Sequence, residues 1–290
     1  MVKYIESILR YPGGKRRGLS KILTHFPKDI LEYREPFIGG GSVFVGVKQL
    51  LGNDISYTIN DLNFDLVCLW RSIQADGEGF RNYIYDIKQG FDTGKDLYNF
   101  YSIRSSRMSN LDIAARFFIL NRITFSGLID CGGYSNESYL KRFTTPIIDR
   151  IIPLSDLLQD VIITFGDYLP HLQKNGDGVF IFMDPPYLIA KNSHLYGVHG
   201  NLHVDFNHKK FSDDVQNCVH KWMITCENSP EMNELFSYAK SNIPWNLKYG
   251  MTNANNKPTT KNGKELLISN YPMWFRPSYD PKKYFKNNRE

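Results

Sequence analysis

The chain has 290 residues, a formal net charge of +5, and hydrophobic and charged fractions of 42% and 22%. That length allows one large domain or two small ones around a real core, and the mild basicity permits a nucleic-acid partner without requiring one. Cys68, Cys131, Cys218 and Cys226 form no CxxC pair and no zinc-ligand spacing, which fits a reducing compartment. No apolar run approaches the roughly 20 residues of a membrane span, and the opening MVKYIESILRYPGGKRRG lacks the apolar stretch of a signal peptide.

Residues 1–70 place glycine-rich turns between short apolar runs, the texture of βα units. A strand is expected to end within 32–36, a tight loop to follow from Gly39 to Ser42, and a helix to begin in 43–51. A second strand over 57–60 ends at Asp61. From about 71 to 150 the texture turns helical and polar, with Ala114, Phe117, Phe118 and Asn121 on a 3.6-residue period. Arg104, Arg107, Arg116, Arg122, Lys141, Arg142 and Arg150 fall in this stretch.

After 150 the βα texture returns. Val161–Phe165 and Val179–Met183 are continuous apolar runs, the signature of buried parallel strands. The run at 222–226 is similar, and 265–269 closes the series. Strands separated by a helical block predict an α/β domain formed by 1–70 and 151–290, with 71–150 inserted as a second domain.

The sharpest local feature is Asp184-Pro185-Pro186-Tyr187, directly after the second of these apolar runs. One alternative is a rigid turn. The chemical reading gives each residue a task. An exocyclic amino nitrogen such as adenine N6 is a poor nucleophile because its lone pair is delocalised into the ring. Two acceptors, the Asp184 carboxylate and the Pro185 carbonyl, would take both amino hydrogens and favour a pyramidal nitrogen. The prolines fix φ and hold that carbonyl in place before reaction. Tyr187 would stack on the base, and a base inside a duplex would first have to be flipped out.

EPFIGGGSVFVG carries Gly39 and Gly41 in the first two positions of G-x-G-x-x-G, but Phe44 stands at the third. No Gly-Lys-Ser/Thr follows, so both pyrophosphate-binding patterns fail. S-adenosylmethionine (AdoMet) has an adenosine and no pyrophosphate, and Asp61 lies where a carboxylate would meet ribose hydroxyls. Asp61 serves equally as a helix cap. Lys15 reads either as part of a basic turn or as a partner of the methionine carboxylate. Asp167 and Tyr168 read either as a helix start or as groups around the cofactor adenine.

In order, YPGGK, EPFIGGGSVF, NDLN, NRITFSGL (121–128), FGDY, DPPY and GKELLISNY make the sequence resemble the Dam-type family of adenine-N6 DNA methyltransferases. The resemblance implies a Rossmann-like AdoMet-dependent methyltransferase sheet with an inserted, mainly helical target-recognition domain. It implies double-stranded DNA as partner and AdoMet as cofactor, while the want of a signal peptide or span gives the expectation of a cytoplasmic, nucleoid-associated protein, or a nuclear one in a eukaryote. Cofactor contacts are implied at Tyr11, Lys15, Phe37, Asp61 and Tyr168, joined by Gly39, Gly41 and Asp167 from the loops they belong to. Base and transfer contacts are implied at Asp184, Pro185, Pro186 and Tyr187. NRITFSGL is expected to lead into a β-hairpin in the major groove, with Arg122, Ser126, Asp130, Tyr134, Ser135, Asn136, Lys141 and Arg142 facing DNA.

GATC-specific members carry an Arg shortly after the Gly-Leu of this stretch, where the matching region here reads Ile129, Asp130, Cys131, Gly132, Gly133. Arg reads guanine, whereas Asp accepts only from an amino group such as that of cytosine, so a site other than GATC is expected. The polar stretch after DPPY holds His194, His199, His203 and His208 without zinc-ligand spacing, and the transfer needs no metal. A loop closing over substrate is the expectation there, with Lys191, Lys209 and Lys210 near phosphates. The remaining competitors are cytosine-N4 or RNA methylation on the same fold, and a catalytically inactive DNA-binding homologue. A monomer is expected.

Overall fold

The computed structural model describes residues 4–11, 13–188, 206–252 and 258–273, with side chains described outside 248–262. In chain order the elements are α1 (Leu19–Thr24), β1 (Glu32–Glu35), α2 (Ser42–Leu51), β2 (Ser56–Asp61), α3 (Phe64–Ala75), α4 (Gly77–Gln89), α5 (Gly94–Tyr101), α6 (Asn110–Ile123), α7 (Asn136–Arg142), α8 (Thr145–Asp149) and α9 (Ile151–Leu158). Then come β3 (Val161–Phe165), α10 (Leu169–Gln173), β4 (Val179–Met183), α11 (His208–Gln216), β5 (Lys221–Glu227), α12 (Pro230–Leu235), β6 (Ser241–Thr252) and β7 (Pro258–Ser269). The fold is α/β, built on one seven-stranded sheet ordered β3-β2-β1-β4-β5-β7-β6.

β3, β2, β1, β4 and β5 run parallel, and β7 and β6 add an antiparallel hairpin at the far edge. The order reverses between β1 and β4, which are paired neighbours. Crevices form where the connections leave such neighbours on opposite faces, just beyond the strands' carboxyl ends. The loops after β1 and β4 open there. β4 is buried along its whole length, as its unbroken apolar run requires.

β3 departs from the expectation of a buried strand. It is the sheet's edge, and Ile162 and Phe165 stand half exposed. Two of its outer carbonyls are nevertheless occupied: Arg71 donates through Nε and Nη2 to Ile163 O, and Gln74 donates to Val161 O. β6 has no counterpart in the apolar runs. It is the opposite edge, and an edge strand accepts Pro244 because proline's missing N–H costs no ladder bond there.

Between β2 and β3 every helix from α3 to α9 intervenes. α6 starts at a capping box, Ser109 and Asp112 each bonding the other's backbone N–H. Its period marks no single apolar face, since residues 113–123 are buried on every side. Its polar residues are matched instead. Arg116 meets Asp65 at 3.5 Å and Asp130 at 3.1 Å. Asn121 exchanges two bonds with the Arg10 backbone, accepting from its N–H at 2.9 Å and donating to its carbonyl at 2.8 Å. One apolar core therefore runs from the sheet (Tyr33, Tyr57, Phe180) into the helical block (Phe117, Phe118, Leu120).

No described helix is long and apolar enough to cross a membrane.

Candidate active site

β1 ends at Glu35, and the chain turns through Pro36–Phe37–Ile38 into three glycines. Gly41, at φ +67°, is the N-cap of α2, and a β-carbon there would lie 2.6 Å from the Trp70 ring. Only glycine has the backbone freedom and the lack of bulk for that position. Gly39 and Gly40 press on Tyr11, whose ring atoms would stand 3.0 Å from a β-carbon at Gly39. Because Gly41 offers no side-chain cap, the first N–H groups of α2 face the crevice without one.

Asp61, at the end of β2, ties this loop to its neighbour. Its oxygens accept from Gly39 N–H and Asn63 N–H, each at 2.9 Å, with Leu62 N–H also directed at it. Burial pushes its carboxyl up to about 6, against the lowering effect of those backbone donors. A carboxylate has roughly four lone-pair sites, so acceptor capacity remains. Asn63, and not Asp61, caps α3 by accepting from Leu66 N–H at 3.3 Å.

Across the crevice mouth, Phe37 and Tyr168 stack with centroids 5.4 Å apart, and Phe206 and Phe211 close the group edge-on. The Tyr168 hydroxyl donates to Asp214 at 2.7 Å, and burial with this carboxylate drives its pKa far up. Asp167 is exposed and takes the Leu169 N–H at 2.8 Å, the helix-start alternative of the sequence.

Asp184 leaves β4 directly into the same crevice. Its Oδ1 accepts from the Thr225 hydroxyl at 2.7 Å, and Lys15 Nζ lies 2.8 Å from Oδ1 and 2.9 Å from Oδ2. Lys15 is 1% exposed, also donates to Gly13 O at 2.8 Å, and stands 4.7 Å from the Tyr187 ring centroid. The sequence leaves Lys15 open between a basic turn and a partner for the cofactor carboxylate, and in the structure its ammonium pairs with Asp184. Burial, with Asp61 and Asp184 close by, pushes the Tyr11 phenol well above its ordinary value. Farther along the turn, Pro186 O faces His208 Nε2 at 2.8 Å, and the Tyr187 hydroxyl donates to Glu265. Among the described residues no donor to the Pro185 carbonyl is present.

The residues expected to face DNA separate into two groups. Arg122 is a correction: it is 5% exposed, and its guanidinium donates to Ile8 O at 3.0 Å and Arg142 O at 2.7 Å. It pins the N-terminal segment to α6 and presents nothing to a ligand. The β-hairpin is also corrected. Thr124 and Tyr134 form a single antiparallel bridge, and the chain then turns helical at α7. Ser135 caps that helix through Ser138 N–H, and Glu137 pairs with Lys141 one turn on, so the local chemistry favours helix.

Asp130 is held by Arg116, which leaves it fewer acceptor sites for a base. Ser126, Asn136, Lys141 and Arg142 are exposed; Tyr134 is half-buried and donates to Asn136 at 2.9 Å. Ser126 is the one non-glycine with positive φ among the described residues, at +56°. The sequence reading missed Arg10, Arg142's neighbour, whose Nη1 bonds Thr124 O and Ser138 Oγ. Burial, with Arg10, Arg142 and Arg150 close by, pushes Arg122 down to about 9, so four guanidinium groups share this region. Thr225, Glu227, Glu265 and Phe206 were missed as well. Lys191, His194, His199 and His203 lie outside the described residues, and Lys209 and Lys210 pair with Asp213 and Asp214 along α11.

The strand order and the crevice at its reversal, with a carboxylate-led proline turn facing a glycine loop, define a Rossmann-like methyltransferase. Comparison with known proteins narrows this class. The model of the D12 class N6 adenine-specific DNA methyltransferase family matches residues 11–251. The chain belongs to that family and is an adenine-N6 DNA methyltransferase. It is 26% identical to the type II methyltransferase M1.LlaDCHI of Lactococcus lactis subsp. cremoris, over 92% of this chain and 96% of that one. It is 26% identical to the DNA N-6-adenine-methyltransferase of Escherichia phage P1, over 81% of this chain and 31% of that longer protein. With the DNA adenine methylase of Escherichia coli K12 it shares 25% identity over 64% of this chain and 66% of the relative.

Proposed function

We propose that this enzyme uses AdoMet to methylate N6 of an adenine flipped out of double-stranded DNA, at a site other than GATC, and that it works as a monomer. The observation that carries the reading is the placement of Asp184 and the Pro185 carbonyl at the carboxyl end of β4, beside the glycine loop of its partner β1. The residues fit the cofactor's chemistry. Asp61 offers a carboxylate to two ribose hydroxyls, and Phe37 with Tyr168 offers aromatic faces to an adenine. The unfilled N–H groups at the start of α2 suit its carboxylate. When bound, AdoMet supplies an electrophilic methyl group on a sulfonium.

The chain's own part is to orient the amino group and take charge. Asp184 and the Pro185 carbonyl accept the two amino hydrogens, which localises the nitrogen lone pair toward the methyl donor. As the nitrogen becomes positive, the Asp184 carboxylate stabilises it and is placed to receive the departing proton. Lys15 and Thr225 hold that carboxylate in position.

We read 71–150 as the target-recognition domain, with Ser126, Asn136, Lys141 and Arg142 toward DNA. GATC readout is disfavoured because Ile129, Asp130, Cys131, Gly132 and Gly133 supply no Arg after the Gly-Leu, and Asp130 is itself bound to Arg116. Relatives named as type II methyltransferases support a role in modification beside a restriction enzyme.

The test is incubation with AdoMet and genomic DNA free of adenine methylation, followed by single-molecule sequencing. N6-methyladenine in one short motif other than GATC is the expected result. Methylation at GATC would overturn the specificity reading. Modification confined to cytosine or RNA would overturn the substrate.

A further inference from the structure

Pro185 and Pro186 have no N–H, so the turn between Asp184 and Tyr187 has no backbone donor with which to anchor itself. Besides the contact of Pro186 O with His208 Nε2 on α11, its anchors come from other strands. The Tyr187 hydroxyl donates to Glu265, and the Leu188 N–H donates to Glu227 Oε1 at 2.8 Å. Glu227 on β5 and Glu265 on β7 are direct register partners in an antiparallel pair. They are 4% and 2% exposed.

The two carboxyl groups thus stand opposite each other on paired strands and out of water, each bonded to the turn. The neighbours Leu266, Leu267 and Ile268 show that apolar residues pack readily along the same strand. What the two carboxylates share is their target, a dipeptide that ends the catalytic turn. Lys15 completes the surroundings, with its ammonium on Asp184 and 4.7 Å from the Tyr187 ring centroid.

We infer that Glu265 and Glu227 form a carboxylate clamp that sets the Tyr187 ring, and through it the Pro185 carbonyl, in register for the flipped base. The inference rests on the reading of Asp184 to Tyr187 as the base site. Neither glutamate touches the reacting atoms, so both are positioning residues. A phenol tied to a fixed acceptor cannot swing its ring, and a ring that cannot swing holds a stacked base at one height above the acceptors. Displacement of about 1 Å at such a site costs on the order of 10²-fold in rate.

The experiment is a double-mutant cycle between Glu265→Leu and Tyr187→Phe in the full chain, reading kcat on duplex DNA, AdoMet affinity and melting temperature. Glu265→Gln, whose amide oxygen still accepts from the phenol, and Asp184→Ala are measured alongside. Glu265→Leu is expected to lower kcat on the order of 10²-fold, with AdoMet affinity unchanged and a cooperative melting transition retained. Tyr187→Phe should lose about as much, the double variant no more than either, and Glu265→Gln should recover most of the rate. Full additivity of the two losses, or a wild-type kcat in Glu265→Leu, overturns the clamp. If Glu265→Leu does not fold, Glu265→Gln carries the test: a deficit of equal size with and without Tyr187→Phe overturns it. Turnover retained in Asp184→Ala removes the base-site reading and the clamp with it. An inactive Asp184→Ala beside additive losses removes the clamp alone.

Discussion

Asp184 receives donors from two elements, Thr225 of β5 and the 3-10 turn at Lys15, before any substrate is present. Preorganised acceptors act without reorganising during the reaction. Replacement of Asp184 by Ala is therefore expected to abolish turnover while leaving AdoMet binding largely intact, as equilibrium dialysis and a methylation assay would show. Near-normal turnover would remove Asp184 from the chemistry. Asp61 gives a pH test. Its carboxyl is raised to about 6 by burial, so protonation begins to remove a ribose acceptor as pH falls through 6. AdoMet affinity should weaken below pH 6, and Asp61→Asn should flatten that dependence; a wild-type curve level from pH 8 to 5 would contradict it. The sign for stability is the reverse. A raised carboxyl favours the folded state below the unfolded value near 3.9, and that contribution fades as pH rises through 6. DPPY and the Asp after β2 were legible from sequence because their chemistry follows from residue type and their position at strand ends. Glu265 and Glu227 were not. A Glu in a strand reads as a solvent-facing position until the neighbouring turn is seen above it.

At the scale of elements, apolar runs located β3, β4 and β5, and the glycine loop located the entry to α2. β6 escaped because an edge strand mixes Pro244, Lys248 and Gly250 with its apolar residues and shows no clean alternation. The Gly132-Gly133 pair suggested a hairpin, yet a Ser135 cap and a Glu137–Lys141 pair decide for helix within a few residues. The glycine loop yields a prediction of its own. Gly41→Ala forces a methyl group toward Trp70 at a positive φ, and should cost about 1–3 kcal/mol. Urea unfolding should show a lower midpoint at constant slope, and a midpoint equal to wild type would mean the loop relaxes freely. α7 carries Lys141 and Arg142 outward, and neutralising both should reduce the salt dependence of DNA binding by about one unit of slope each. An unchanged slope would place both side chains away from phosphate.

Over the whole molecule, the helical block and the sheet share one core, and the N-terminal segment crosses between them. Asn121 bonds both backbone groups of Arg10, while Arg122 holds Ile8 O. The segment that carries Lys15 to Asp184 is thus fastened to the helix that precedes NRITFSGL's exposed turn. Asn121→Ala leaves two backbone groups of Arg10 short of partners and should cost about 1–3 kcal/mol per group that water cannot reach. Fluorescence and circular dichroism should follow one coincident transition in the wild type, and two separated transitions would show that the block folds by itself. The α/β class and the helical interruption were legible from sequence texture. The shared core was not, because α6 is buried on all sides and its period marks no face toward either partner.

The β3 edge, where Arg71 and Gln74 occupy two outward carbonyls, bears on crowding. An open strand edge is a template on which another chain can zip, and bare edges drive association and fibre growth. Here two of the acceptors such a strand would need are taken, although Ile162 and Phe165 remain apolar and half exposed. Many copies of a basic protein gathered along one DNA molecule meet at high local concentration. A partly stoppered β3 edge gives such neighbours fewer acceptors on which to zip.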